Sequence, residues 1–273
     1  MISTASSIDN NERPCEATFP ATHAYCFRMY SSDQLYDELG EILANQGIEP
    51  ALQQLDIICR DYPWHGGAWE LRGLLESQAG RHNLAVRYFE QATELVPLES
   101  WSSRVMAISY IKIGRTALGI DLLQLLASSP QAGPGLIRII IHDLINVGRA
   151  EIADEVVWTG LSRFSDNASL WHELSAIRSL LGYTPRQCLQ AAQRAVMLAP
   201  EVAEYRVTMA SVLIRMNLAR EAYDVVACIT DSGQVGLDCP CCLWRLICIF
   251  DCFDNPDAVT LCYERLSALC NRR

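Results

Sequence analysis

Apolar residues recur along most of this chain at intervals of three and four positions. Between residues 134 and 147 they include Ile137, Ile140, Ile141 and Leu144, and the polar Arg138, His142 and Asp143 lie among them. Residues three and four apart share one face of an α-helix, so this pattern predicts a short amphipathic helix. Similar segments follow one another from residue 32 to residue 270. The chain is therefore predicted to be all-α.

Glycines divide these segments at a constant interval. Gly80, Gly114, Gly148 and Gly182 are each 34 residues apart, and each ends one amphipathic segment and precedes another. Glycine suits such a turn because it adopts the left-handed backbone conformation without strain. Asn217 takes the corresponding place in a further copy, since asparagine also tolerates this conformation. A fixed period of this kind predicts a stack of helix pairs, an α-solenoid.

The copy that begins at residue 66 has a distinctive order of aromatic, small and turn residues. Its marked positions are Ala68, Trp69, Gly73, Gly80, Ala85, Phe89, Ala92 and Pro97. This order resembles the tetratricopeptide repeat. A second copy repeats it around Trp171, Gly182 and Pro200, with one additional residue near Thr184. The resemblance implies a right-handed α-solenoid of about six to seven helix-turn-helix units. We expect these units to start near residues 32, 66, 100, 134, 168, 203 and 237, the last one being shortened and rich in cysteine.

Residues 1–31 stand outside the repeat pattern. They are polar, rich in serine and interrupted by two prolines, which predicts a flexible arm before one domain of residues 32–273. The start of the arm lacks the basic residues and the continuous apolar stretch of a secretory signal. Charged residues also interrupt the most apolar later stretch, residues 136–147, so we expect no membrane span. The predicted location is cytoplasmic, and recognition of the arm by an export system or a partner stays an alternative.

The charge and the histidines argue against two classes of function. The formal net charge is −10, whereas a nucleic-acid binder needs a clustered basic surface. The five histidines are spread over the arm and separate units without a His-Glu-x-x-His pair, and there is no phosphate-binding glycine loop. We therefore expect neither enzymatic activity nor a cofactor.

Twelve cysteines are present, and seven of them lie in the last unit. Cys239 and Cys242 form a C-x₂-C pair, and Cys248 and Cys252 lie one helical turn apart, so these four are candidate zinc ligands. Only five residues separate the two pairs, which is fewer than in ordinary zinc modules. In a helix, Cys241, Cys248 and Cys252 would share the face that closes the solenoid, where cysteine packs as a small apolar residue. Packing is the favoured interpretation, with metal binding and redox chemistry as alternatives.

The resemblance implies that the first helix of each unit lines a concave groove that holds a partner peptide. The expected partner-binding residues at the exposed positions of these helices are Glu70, Arg104, Lys112, Arg138, His142, Asn146, His172 and Arg215. Between residues 104 and 172 this groove is more basic than the acidic whole, which favours a partner with carboxylates. Ordinary solvated charges are the alternative. The family's clamp for a C-terminal carboxylate, built from lysine and asparagine, is not reproduced, because its places hold Glu70, Leu74, Val105 and Ile139.

The predicted function is thus a non-catalytic scaffold or adaptor for a protein or peptide, without nucleic acid or membrane as partners. The alternative is a metal- or redox-responsive regulator that uses the cysteine-rich last unit. Homo-oligomers are also compatible with the sequence, because the ends of a solenoid expose an apolar face unless they are capped.

Overall fold

The computed structural model describes residues 32–231 and 235–271, which form helices and loops without a β-strand. The predicted arm, residues 1–31, lies outside the described residues. Fourteen α-helices form seven consecutive pairs in this part of the chain. They are α1 (Ser32–Gln46) with α2 (Ile48–Asp61), α3 (Gly66–Gln78) with α4 (His82–Thr93), α5 (Ser100–Lys112) with α6 (Thr116–Ser128), α7 (Pro134–Asn146) with α8 (Ala150–Arg163), α9 (Ala168–Leu180) with α10 (Pro185–Leu198), α11 (Ala203–Arg215) with α12 (Ala219–Val226), and α13 (Pro240–Cys252) with α14 (Pro256–Cys270). None of these described helices has the length and apolar character needed to cross a bilayer.

The turn inside each pair contains one residue with a positive φ. Glycine fills this place in five pairs, as at Gly114, whose φ is 86°. Asn217 (φ 59°) and Asp254 (φ 53°) fill it in the last two pairs. Both residue types tolerate this conformation because their short polar side chains bond locally. The prediction for Asn217 is confirmed.

Small residues let the helices of a pair approach closely. A Cβ atom at Gly73 would lie 2.7 Å from the Phe89 ring, and one at Gly119 would lie 2.5 Å from the carbonyl oxygen of Ala107. Both distances are well below ordinary van der Waals contact. The first helices of successive pairs also contact each other, as α3 does with α5 and α11 with α13. The core is therefore distributed along the stack rather than gathered at one centre.

One arginine holds the loop between α6 and α7. The guanidinium of Arg163, at the end of α8, donates hydrogen bonds of 2.9–3.4 Å to the carbonyl oxygens of Ala127, Ser129, Pro130 and Ala132. Carbonyls at the end of a helix lack intrahelical donors, and the planar fork of arginine supplies several at once. Pro134 then begins α7, where the missing backbone N–H costs nothing.

Candidate functional site

Polar side chains reach from the first helix of one pair to the first helix of the next. Arg104 on α5 donates two hydrogen bonds to Asp143 on α7, from Nε to Oδ2 at 2.6 Å and from Nη2 to Oδ1 at 2.8 Å. This bidentate geometry is the strongest that arginine offers a carboxylate. Nε2 of His142 on α7 lies 3.0 Å from Oε1 of Glu173 on α9. Consecutive pairs are thus joined by side chains as well as by apolar packing.

The same series continues from α9 to α11. Nε2 of His172 lies 2.9 Å from the hydroxyl oxygen of Thr208, and its ring packs against Tyr205 with the centroids 4.9 Å apart. Burial lowers the pKa of His172, because surroundings of low polarity penalise the charged imidazole. Nη1 of Arg215 donates to Oγ of Ser179 at 2.9 Å. The inter-pair ladder is the name we give to these four contacts: Arg104–Asp143, His142–Glu173, His172–Thr208 and Arg215–Ser179.

The structure divides the eight predicted partner-binding residues into two sets. Glu70 is buried and accepts the backbone N–H of Glu99 at 3.1 Å, so the expectation that it faces a partner is wrong. The Glu70 carboxylate is therefore already bonded to the backbone at the start of α5. Arg104 is also engaged, since the Arg104 and Asp143 side chains are only 17% and 11% exposed and neutralise each other. His172 is partly buried in the ladder. The exposed residues of the set are Lys112, Arg138, His142, Asn146 and Arg215.

An apolar cavity opens between α11 and α13. Its volume is about 430 Å³, and its lining includes Ile214, Trp244, Cys248, Cys252 and Phe253. Trp244 is 49% exposed although it is the largest side chain of this lining. A large exposed apolar surface with a concave shape is typical of a binding site rather than of a packed core.

The cysteines of α13 do not pack as the sequence predicts. Cys241, Cys248 and Cys252 are all exposed, whereas Cys242 and Cys262 are buried. The expectation that the first three share the face that closes the solenoid is therefore wrong. The buried stripe of α13 is formed instead by Cys242, Leu243, Leu246, Ile247, Ile249 and Phe250.

Three of the thiols converge at the start of α13. The Sγ atoms of Cys239, Cys241 and Cys242 lie within 4.8 Å of one another, and those of Cys239 and Cys241 are 2.7 Å apart. Burial raises the pKa of the Cys242 thiol. Burial also opposes ionisation of Cys239, but hydrogen bonds from Cys241 and Cys242 outweigh it and lower the pKa of that thiol. In the described part of the chain, Cys248 and Cys252 do not join this cluster. The structure therefore does not assemble the four candidate zinc ligands.

No protein-family model matches the chain, and no curated protein does. Solved structures do match. The C-terminal part of a TPR repeat-containing protein from Cytophaga hutchinsonii is 11% identical and superposes with a TM-score of 0.60, covering 86% of this chain and 95% of that one. A tetratricopeptide repeat protein from Parabacteroides merdae is 10% identical with a TM-score of 0.57, covering 87% and 93%. The chain has the tetratricopeptide-repeat fold. The structure of pilF from Pseudomonas aeruginosa is also similar, with 17% identity, a TM-score of 0.50, and coverage of 75% and 91%. The resemblance and the α-solenoid predicted from the sequence are confirmed at the level of the fold.

Trp244 holds a defined place in this tetratricopeptide-repeat fold. It lies ten residues before the left-handed turn residue Asp254, as Arg138 lies ten residues before Gly148. Cys252 likewise corresponds to Asn146, two residues before the turn. The cavity between α11 and α13 is therefore the apolar continuation of the surface that carries the exposed basic residues. We call this whole surface the first-helix face, from Lys112 on α5 to Cys252 on α13.

Trp244 was not predicted from the sequence because the spacing of the last unit differs from that of the earlier units. The left-handed residues Asn217 and Asp254 are 37 residues apart, whereas Gly148 and Gly182 are 34 apart. Because the connection before α13 is longer, positions in α13 that are counted forward from the earlier repeats are assigned to the wrong residues. Counting backward from the Asp254 turn would have identified Trp244.

Proposed function

We propose that this protein is a non-catalytic scaffold that binds a protein or peptide partner on its first-helix face. The observation that carries the proposal is the exposed apolar cavity around Ile214 and Trp244. It lies at one end of a face whose other exposed residues are mostly polar or basic, with the apolar Leu180 as an exception. Partly exposed aromatic side chains in concave surroundings provide much of the binding energy of protein interfaces. The Trp244 ring contacts the Tyr263 ring of α14 in an edge-on arrangement, with the centroids 5.8 Å apart, and still remains 49% exposed.

The charges along the face define the chemistry of the partner. Arg245 lines the cavity, Arg215 adjoins Ile214, and Lys112 and Arg138 lie exposed farther along the face. Among the described residues, neither Lys112 nor Arg138 forms an ion pair within 4.0 Å, which leaves both cations open to a partner. We therefore infer an apolar anchor side chain in the cavity, with carboxylates on the segment that continues toward α5.

The described histidines support a scaffold rather than a catalyst. His65 accepts the N–H of Ala68 at the start of α3, and His82 lies 3.4 Å from the hydroxyl of Ser109. His142 and His172 belong to the inter-pair ladder. Each ring thus contributes to a helix start or to a contact between pairs.

Ten free cysteines in the described part of the chain suit a reducing compartment, which supports a cytoplasmic location.

A displayed library of short random peptides tests this proposal. We expect selection on the full chain to enrich peptides with one large apolar residue next to several Asp or Glu residues. Trp244→Ala should weaken binding of an enriched peptide by about 10-fold or more, as truncation of a central aromatic residue does in other interfaces. The binding should also weaken as salt is added, because the charges involved are exposed.

Leu125→Ala is the matched control. Leu125 lies on the second helix α6 and is 69% exposed, so its removal takes away apolar surface of similar size outside the first-helix face. Equal losses from Trp244→Ala and Leu125→Ala, or enrichment of basic peptides, would contradict the proposal. Sedimentation of the free chain in the same buffer shows whether a second copy occupies the face instead.

A further inference from the structure

The thiols of Cys239, Cys241 and Cys242 form a cluster for which the proposed scaffold function has no use. Their sulfur atoms lie within 4.8 Å of one another. Three thiolates bound to one metal at about 2.3 Å would be separated by about 4 Å. The three sulfur atoms are thus close to the spacing of a three-thiolate site, in which the 2.7 Å separation of Cys239 and Cys241 would widen.

The local backbone explains why the three side chains meet. Cys239 is the residue just before α13, and Pro240 is its first residue. The backbone N–H of Cys242 bonds to the carbonyl oxygen of Cys239 at 3.1 Å, which closes the first turn. The sequence Cys-Pro-Cys-Cys therefore brings three sulfur ligands together in the first turn of α13.

The burial of the cluster leaves one side open to solvent. Cys242 is 9% exposed, Cys239 is half-buried and Cys241 is exposed. An ion can therefore enter from solvent and reach a sulfur that is fixed in the core. Within the described residues, no His, Asp or Glu belongs to the cluster as a fourth ligand.

We propose that Cys239, Cys241 and Cys242 bind a soft, thiolate-preferring cation, and that Cu⁺ is the ion that suits them. Thiolate ligands select Cu⁺ and Zn²⁺ among the biological metals. Structural zinc sites require four protein ligands, whereas Cu⁺ is satisfied by two or three sulfurs. Each thiol releases its proton to the solvent as it binds the ion. This site lies outside the first-helix cavity and is independent of the proposed scaffold function.

Titration of the reduced, metal-free full chain with Cu⁺ tests the site. The titration is carried out without oxygen, against a chromophoric Cu⁺ chelator, and binding is also followed by the ultraviolet absorption of the copper–thiolate bond. We expect the tightest equivalent of Cu⁺ to be lost in Cys241→Ser. The Cu⁺ affinity of this variant should fall by at least roughly 10-fold, because losing even a residue that only hydrogen-bonds to a metal ligand has an effect of that size. Because Cys241 is exposed, serine leaves the core intact.

Cys270→Ser provides the matched control, since Cys270 is an exposed cysteine on α14 outside the cluster. The Cys270→Ser variant should keep the wild-type affinity for Cu⁺. X-ray absorption of the copper-bound wild-type chain should show three sulfur neighbours around copper. Three outcomes would overturn the proposal. They are an unchanged affinity in Cys241→Ser, an equal loss in Cys270→Ser, and tighter binding of Zn²⁺ than of Cu⁺ by the same thiols.

Discussion

At the scale of single residues, Arg104 contributes to the cohesion of the stack and not only to its surface. Its two bonds to Asp143 join α5 to α7 in surroundings that leave both side chains largely buried. Arg104→Ala should therefore lower the free energy of unfolding by about 2 kcal/mol or more, because a largely buried carboxylate loses its partner. Urea denaturation measures this change.

Arg138→Ala is the control for that experiment. Arg138 is exposed, and its removal should change stability by less than about 0.5 kcal/mol. If both variants unfold at the same urea concentration, the Arg104–Asp143 pair contributes nothing net.

His172 makes the stability of the chain depend on pH. Its pKa in the folded chain lies below the ordinary 6.5, since burial penalises the charged ring more than Glu173 and Glu204 favour it. Below about pH 6.5 the unfolded chain therefore binds this proton more readily than the folded chain does. The free energy of unfolding should fall as the pH drops from about 7.5 toward 5.5.

His172→Gln isolates this contribution, because glutamine keeps a hydrogen-bonding group near Thr208 but does not titrate. Denaturation curves at several pH values should show a shallower dependence for this variant than for the wild type. Parallel curves would mean that His172 has the same pKa in the folded and unfolded chains.

Residue-scale chemistry was the hardest part to predict from the sequence. Arg104 was predicted to be an exposed residue of the partner-binding groove, and its pairing was not predicted because Asp143 is 39 positions away. Glu70 was misplaced for a similar reason, since its partner is a backbone N–H at the start of the next pair. A partner on another element depends on the packing between pairs, which the periodicity of one helix does not specify.

At the scale of elements, the closeness of two helices is set by single glycines. A Cβ at Gly119 would lie 2.5 Å from the backbone oxygen of Ala107, which cannot rotate away. Gly119→Ala should therefore destabilise the chain by about 1–3 kcal/mol by overpacking α5 against α6. Thermal or urea denaturation measures the change.

Gly40 supplies the opposite case. It lies inside α1 with nothing within 4 Å of its Cβ position, so Gly40→Ala should stabilise the chain by about 0.5–1 kcal/mol through helix propensity. A stabilising effect of alanine at both positions would show that α5 and α6 can separate to make room.

The elements themselves were largely predictable, because a helix and its turn depend on nearby residues. The apolar spacing around Ile137 and Ile141 and the left-handed Asn217 both belong to this local level. The orientation of α13 was not predictable in the same way. The connection before it has a different length, so the repeat no longer indicates which side of the helix is buried.

At the scale of the whole molecule, the core is divided along the stack. One apolar cluster extends from Ala107 to Ala191, and another from Val207 to Cys262. A chain that ends at Asp231 lacks α13 and α14, and it exposes the second cluster without touching the first. Because stability in such stacks is approximately a sum over neighbouring units, the loss should remain local.

Hydrogen exchange measured by mass spectrometry tests this expectation. Amides of α11 and α12 should exchange faster in the truncated chain, whereas those of α5 to α8 should keep their protection. Equal loss of protection in all helices would show that the stack unfolds as one cooperative unit.

The inter-pair ladder also determines how far the helix pairs can be exchanged. Its contacts differ from one boundary to the next, with guanidinium to carboxylate at Arg104–Asp143, imidazole to carboxylate at His142–Glu173, and imidazole to hydroxyl at His172–Thr208. The spacing of the helix pairs along the chain is nearly constant, yet the side chains at each of these boundaries fit only the two pairs that meet there. At these three boundaries the side chains therefore favour the native order of the pairs, and a shuffled chain would bury Asp143 and Glu173 without their partners.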